Sequence, residues 1–140
     1  MHRFLELWDF REESIKSTAR FAITEGFLLD DSLGEDLAKL AKNFLNSELM
    51  KRIKKAKRVY REVPFYIEIN GKPGRGRIDL VLEEDGGPAL FDYKVISDDK
   101  ELMEFRDQME RYTKALERKF GITLNEKFFV VLPDVKLVGF

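Results

Sequence analysis

The sequence predicts a mixed α/β (α+β) fold, one mixed sheet flanked by helices, and three observations predict it. Apolar residues recur at helical spacing near the start of the chain, and again beyond residue 98. Between these helices, residues 63–96 carry strand-like apolar patterns broken by two short turns. A compact apolar segment follows the last helix, so a crossover returns the chain to the same sheet. The implied order is α-α-β-β-β-α-β.

The first helix is expected over residues 2–25, where Phe4, Leu5, Trp8, Ile15, Ala19 and Ile23 form the apolar stripe. Residues 26–34 read as a connection. A second helix, over residues 35–58, follows Ser32 or Gly34. Glu35 and Asp36 in its first turn and lysines near its end both complement the helix dipole. Asn46 and Ser47 are the place where it can be interrupted.

The period then changes to two. Val63, Phe65, Ile67 and Ile69 alternate with Pro64, Tyr66, Glu68 and Asn70, as in a half-buried strand. Residues 70–74 form a turn, residues 75–84 a second strand and residues 84–87 another turn. Residues 88–96 form a third strand, apolar enough for burial on both faces. Turns this short imply an antiparallel meander. Asp98 or Asp99 caps a helix running to residue 120, with Leu102, Phe105, Met109, Tyr112 and Leu116 facing the sheet and Gly121 ending it. Residues 128–132 form the final strand, stopped by Pro133 and expected to run parallel to its neighbour.

Composition narrows the function. The 140 residues suit a single domain over 1–140. Cysteine is absent, which excludes disulfides, thiolate zinc sites, iron–sulfur clusters and a cysteine nucleophile. One histidine, His2, excludes a multi-histidine cage. No apolar run reaches the roughly 18 residues that span a membrane. Arg3, Glu6 and Asp9 interrupt the apolar start, so secretion is not expected and a cytoplasmic location is. Net charge is −1, yet seven basic residues and no acid lie between Lys51 and Arg61. Such a run is either a solvated helical face or a phosphate contact, with Lys54, Lys55 and Arg58 as the candidates for DNA binding.

Two segments carry chemistry: Arg77-Ile78-Asp79-Leu80-Val81 and Phe91-Asp92-Tyr93-Lys94-Val95. An acid within an apolar strand must be offset by a cation, a metal or hydrogen bonds. Asp92 and Lys94 share a face, and folding at residues 85–87 brings Asp79 level with Asp92. Two carboxylates beside one lysine can hold a hard divalent cation. Such an ion acidifies water and stabilises charge on a phosphoryl oxygen, while the lysine orients the water. The same residues equally suit a plain Asp92–Lys94 ion pair, with Asp79 a partner for Arg75 or Arg77. Arg75 and Arg77 share a face with Asp79, so they serve either DNA contact or carboxylate neutralisation. Gly74 and Gly76 read first as turn and close packing.

The ordered set Glu62, Gly76-Arg77-Ile78-Asp79, Asp92-Tyr93-Lys94 and Gln108-x-x-x-Tyr112 resembles the RecB/AddA-type branch of the PD-(D/E)XK nuclease superfamily. His2-Arg3-Phe4-Leu5-Glu6 is similar to that branch's histidine context on the first helix. The resemblance implies a restriction-endonuclease-like αβββαβ core with an extra N-terminal helix. It implies a Mg²⁺ or Mn²⁺ ion held by Asp79, Asp92, His2 and the Tyr93 carbonyl, with Lys94 as the catalytic lysine. Glu62 matches an acid that binds a second metal or orients water, and Gln108 and Tyr112 complete the site. It further implies a DNA nuclease domain related to, or excised from, a larger helicase–nuclease of double-strand break processing. The expected partners are single-stranded DNA ends and a helicase domain or subunit, with no membrane and no iron–sulfur cluster. No Walker-type Gly-Lys-Ser/Thr loop is present, so the chain has no ATPase site of that kind.

Competing readings stand beside each role. His2 next to Met1 also fits a frayed surface residue, Tyr112 a core residue, and Glu62 a partner for Arg58 or Arg61. For the whole chain, the alternatives are a non-catalytic nuclease-fold module binding DNA or a helicase subunit, and an RNA or nucleotide phosphodiesterase.

Overall fold

The computed structural model describes residues 1–24, 32–96 and 98–140. It contains five helices, α1 (His2–Leu7), α2 (Ile15–Thr24), α3 (Ser32–Leu45), α4 (Glu48–Lys55) and α5 (Asp99–Phe120). Its five strands are β1 (Arg58–Ile69), β2 (Lys72–Glu84), β3 (Gly87–Val95), β4 (Glu126–Leu132) and β5 (Lys136–Gly139). They form one sheet in the order β1-β2-β3-β4-β5, antiparallel except for the parallel β3–β4 pair. The expected meander, crossover helix and mixed sheet flanked by helices are all present, an architecture compatible with a restriction-endonuclease-like core. Most of the connection expected over residues 26–34 lies outside the described residues.

The helices cover the two sheet faces unequally. On one face, Leu80, Leu82, Phe91, Tyr93 and Val130 pack against Phe4, Trp8, Leu40, Phe44 and Leu49 of the N-terminal helices in the main core. On the other, α5 lays Tyr112, Ala115 and Leu116 against Phe65 and Ile78. Gly76 pairs with Phe65, whose ring covers it so closely that a Cβ would collide with Cζ. Close packing therefore accounts for this glycine.

Several boundaries differ from expectation, each for a physical reason. The single N-terminal helix is broken after Leu7, where Phe10 adopts a left-handed backbone with φ 63°. The break lets Trp8 and Phe10 both reach Phe44, at ring separations of 5.6 and 4.8 Å. Asp9 stabilises it by accepting from Arg11 N and Ser14 Oγ. The second helix does break at Asn46-Ser47, with Ser47 Oγ capping α4 by accepting from Met50 N at 3.1 Å.

Further on, α4 ends at Lys55, and Arg58 is a strand residue and not the end of a helix, as the sequence suggested. Lys57 N donates to Glu83 O at 2.8 Å, so β2 recruits this segment into its ladder five residues before the expected start of the strand. Asn70 and Gly71, both at positive φ, close a two-residue turn that the sequence pattern draws longer. Strand β5 was not expected at all. It pairs along β4, and Phe140 beyond it stacks on Phe129 at 4.4 Å. The long helix follows the sequence: Asp98 caps it through Glu101 N at 3.0 Å and Gly121 ends it at φ 63°.

A candidate metal centre at a fork in the sheet

The site sits where β2 parts from β3. Their ladder runs from Glu84↔Gly87 to Leu80↔Phe91, and one further step of this register opposes Asp79 and Asp92. The pairing stops there, while β1–β2 continues to Ile69↔Lys72. Residues 62–79 therefore leave the sheet as a two-stranded arm. Glu62, across from Asp79, takes a left-handed backbone with φ 51°, and neither residue has a ladder partner in the other. The alternation is disturbed at this point: Leu80 packs in the main core, yet Ile78 faces α5.

The fork frees backbone groups, and the side chains of the site use them. Tyr93 N, released from β2, donates to Asp79 Oδ2 at 2.8 Å. On the same residue, the Tyr93 carbonyl meets His2 Nε2 at 2.5 Å, so His2 is held in place and is not a frayed terminus. Asp79 and Asp92 oppose each other across the fork, one register step beyond the last β2–β3 pair. Lys94 Nζ stands 3.2 Å from Asp92 Oδ2 and 4.3 Å from the centre of the Phe105 ring on α5. Asp92 is 8% exposed, and its Oδ2 has no hydrogen-bond donor despite the nearby ammonium.

Burial and the adjoining Asp92 raise the Asp79 carboxyl to about 8, against which the Tyr93 amide works in the other direction. A carboxyl pair enclosed this way takes up either a proton or a cation. Burial and the nearby Glu6 also push Glu62 up, opposed by Arg77.

This geometry adds a pH-dependent contribution to the stability of the metal-free protein. An acid whose folded value lies above its unfolded one binds protons more tightly when folded, so the contribution of Asp79 to stability falls as pH rises from about 4 to about 8. Asp79→Asn is expected to stabilise the protein in EDTA at pH 8 by roughly 1–3 kcal/mol, or several degrees, and to flatten that pH dependence. Thermal melts of both proteins across this range are the check; a parallel pair of curves would contradict it.

The structure unites most of the expected residues and separates others. Asp79, Asp92 and Lys94 come together, and His2 reaches the carbonyl of the intervening Tyr93. Asp92, Lys94 and Tyr112 line a cleft of about 200 Å³ between the arm and α5. Gln108 is exposed and outside that cleft, in an adjoining shallow one that shares Tyr112. Glu62 is held by Arg77, 3.2 Å away, and not by Arg58 or Arg61. Arg77 also binds Glu6 at 2.8 Å, so neutralisation accounts for it, whereas Arg75 has no acidic partner among the described residues.

Four of the seven basic residues of the run pair with acids, three of the four from exposed positions. Lys51 pairs with Glu48, Arg52 with Glu84 and Glu126, Lys57 with Asp85 and Arg58 with Glu83. Arg61 donates to the Leu5 and Glu6 carbonyls at the end of α1. Lys54 and Lys55 stay exposed on α4, which packs at the Glu84 end of β2, roughly 16 Å along the strand from Asp79.

Sequence reasoning gave Glu6 and Phe105 no role at the site. Glu6 sits four residues after His2, and that one-face spacing was the available signal. Phe105 had none, because its meeting with Lys94 arises only from how α5 crosses the sheet.

Hard oxygen donors, one imidazole and a buried carboxylate oxygen offset only by the Lys94 ammonium fit a divalent cation of the Mg²⁺ or Mn²⁺ type. Among the described residues, no three histidine or acidic side chains close into a cage by themselves. The fit therefore depends on the Tyr93 carbonyl as a donor. No helix among the described residues is long and apolar enough to cross a membrane.

The fold and site define a helix-flanked mixed sheet with paired carboxylates and a lysine at its fork. No family model matches the chain. Curated proteins do. It is 28% identical over 161 residues to an ATP-dependent helicase/nuclease subunit of Acetivibrio thermocellus, covering 100% of this chain and 13% of that protein. The same-named protein of Ruminiclostridium cellulolyticum is 30% identical over 160 residues, covering 99% of the chain and 13% of the relative. That of Thermoanaerobacter sp. strain X514 is 29% identical over 140 residues, covering 86% and 11%. The chain is thus related, along essentially its whole length, to a region of these ATP-dependent helicase/nuclease subunits, and spans only about an eighth of their length.

Proposed function

We propose that this chain is a PD-(D/E)XK-type nuclease domain that hydrolyses phosphodiester bonds in DNA with Mg²⁺ or Mn²⁺, and that it works beside a helicase domain or subunit. The observation that carries this reading is the convergence of Asp79, Asp92 and Lys94 at the fork, with His2 and the Tyr93 carbonyl alongside. The names of the relatives support it. Asp79, Asp92, His2 and the Tyr93 carbonyl are the groups that would hold the ion. When bound, such an ion supplies charge stabilisation at a phosphoryl oxygen and a more acidic water.

The chain's own residues account for the remaining steps. Lys94, kept between Asp92 and the Phe105 ring, donates from Nζ toward the attacking water or the charge growing on phosphorus-bound oxygen. Water oxygen bonds to phosphorus and releases one proton to solvent as the bond to the leaving sugar oxygen breaks, and that oxygen takes up a proton from solvent as it departs. Tyr112 closes the cleft on its α5 side. Glu62, raised by burial and drawn to Arg77, is the acid nearest to serving a second ion or a water.

The absence of a three-side-chain cage among the described residues favours one rival, a nuclease-fold module that binds without cutting. Incubation with a labelled single strand separates the two. Strand scission is expected with Mg²⁺ or Mn²⁺ and none in EDTA. Binding without scission at every metal concentration would leave the rival standing.

A further inference from the structure

The first helix is too short to hold itself in place. It has six residues, no side-chain cap at its start, and in its last turn the Leu5 and Glu6 carbonyls lie beyond its own hydrogen bonds. Phe4, Leu5 and, just after the helix, Trp8 are fully buried in the main core. Apolar burial is non-directional, so it chooses the inward side of α1 but leaves its fine rotation and slide to directional contacts. His2 depends on that rotation, because its Nε2 donates to the Tyr93 carbonyl.

Two arginines from the fork supply the directional contacts. Arg61 of β1, next to the left-handed Glu62, donates from Nη2 to the Leu5 and Glu6 carbonyls. Its guanidinium lies 4.0 Å over the Phe10 ring, and a cation there suits the negative end of the helix dipole. Arg77 of β2, two residues before Asp79, reaches the same helix from the other strand. Its Nη2 meets Glu6 Oε1 at 2.8 Å while its Nε stands 3.2 Å from Glu62 Oε2. The side chains of these two acids are only 16% and 19% exposed, so leaving either unpaired is costly. Glu6 also pairs with Arg3 at 2.9 Å, but that contact lies within α1 and cannot fix the helix against the sheet.

Together these contacts close a ring. Asp79 Oδ2 accepts from Tyr93 N at 2.8 Å, and the Tyr93 carbonyl accepts from His2. Glu6 follows His2 by one helical turn and meets Arg77, and Arg77 leads back along β2 to Asp79. We propose that Arg77 is a positioning residue of the site: through Glu6 it sets the rotation of α1, and so the place of the His2 ring at the Tyr93 carbonyl, with Arg61 holding the end of the same helix. Neutralising Glu6 and Glu62 needs only a charge. Holding both from different nitrogens of one group needs a planar guanidinium. The inference rests on the nuclease reading for what the ring does next, but not for its placement.

His2 is the one histidine of the chain, so NMR of the whole protein shows a single imidazole signal. In EDTA the wild-type ring is expected away from free-imidazole values. Arg77→Ala is expected to return it toward them, as is Glu6→Gln, which breaks the same link from the helix side. Arg52→Ala, which breaks the comparable pairs to Glu84 and Glu126, should leave the signal in place. By calorimetry, Arg77→Ala is expected to weaken Mn²⁺ binding about tenfold, the lower end of what groups that orient metal ligands contribute. In a His2→Ala background the same substitution should cost less than about twofold, since the ring it places is gone. Arg77→Lys should restore neither readout. An unmoved ring signal in both Arg77→Ala and Glu6→Gln overturns the inference. So does rescue by lysine, which would reduce Arg77 to a neutralising charge, or a full loss that persists without His2, which would route the effect through Asp79. A ring displaced by Arg77→Ala in a chain that never binds Mn²⁺ removes the nuclease reading alone, whereas Mn²⁺ binding with ring and affinity indifferent to Arg77 removes the positioning alone.

Discussion

Asp92→Ala is expected to lower metal-dependent strand scission by about 10³-fold or more, the scale on which a single group that stabilises a transition state acts. Asp92 faces Asp79 across the fork and Lys94 along its own strand, so its loss removes one carboxylate from the ion's donors and the partner that aligns the ammonium. Lys94→Ala is expected to cost a similar factor in rate by a separate route. The carboxylates remain, so Mn²⁺ binding followed by calorimetry should persist in Lys94→Ala and weaken sharply in Asp92→Ala. Lys94→Arg is not expected to restore the rate, because a planar guanidinium cannot replace a compact ammonium between Asp92 and the Phe105 ring. Scission at the wild-type rate in either alanine variant would rule out the assigned roles.

Phe44→Ala is expected to destabilise the fold by about 3–5 kcal/mol, the usual range for emptying a buried aromatic site. Phe44 is 0% exposed and lies at the centre of the aromatic cluster, stacked on Phe10 at 4.8 Å and edge-on to Trp8 at 5.6 Å and Tyr93 at 6.4 Å. The last contact links packing to chemistry, since the Tyr93 backbone holds both Asp79 and His2. Urea titration should show a lower midpoint at an unchanged slope, and the loss of Mn²⁺ affinity should exceed that caused by Leu37→Ala elsewhere in the same core. A loss under 1 kcal/mol would mean that the cluster is not the support described.

How far the site could be read in advance varies from residue to residue. Asp79, Asp92 and Lys94 were legible because strand alternation and a two-residue turn are local rules, and together they dictate the register. The ion pairs of the lysine-rich run were not legible, for an equally physical reason. Its partners lie far off in sequence, Arg52 meeting Glu84 and Glu126 across 32 and 74 residues, and no local pattern announces such pairings. The same holds for Arg75 and Arg77, alike in sequence and on one face of a strand. Glu6 and Glu62 capture Arg77, and Arg75 is left with no acidic partner among the described residues.

By itself, then, the sequence determined the helices, the hairpins, the caps at Asp98 and Gly121 and the pairing of two acids, because these follow from interactions within a few residues or across a tight turn. Only the tertiary structure decided where β2 leaves β3, and hence that His2 from the first helix meets a carbonyl 91 residues away. The physical reason is that these contacts join residues far apart in sequence, and that the Asp79 side chain takes the Tyr93 amide which a longer β2–β3 ladder would use. On these two strands the N-terminal core ends at Leu80 and Tyr93, and beyond it the arm packs Phe65 and Ile78 against α5.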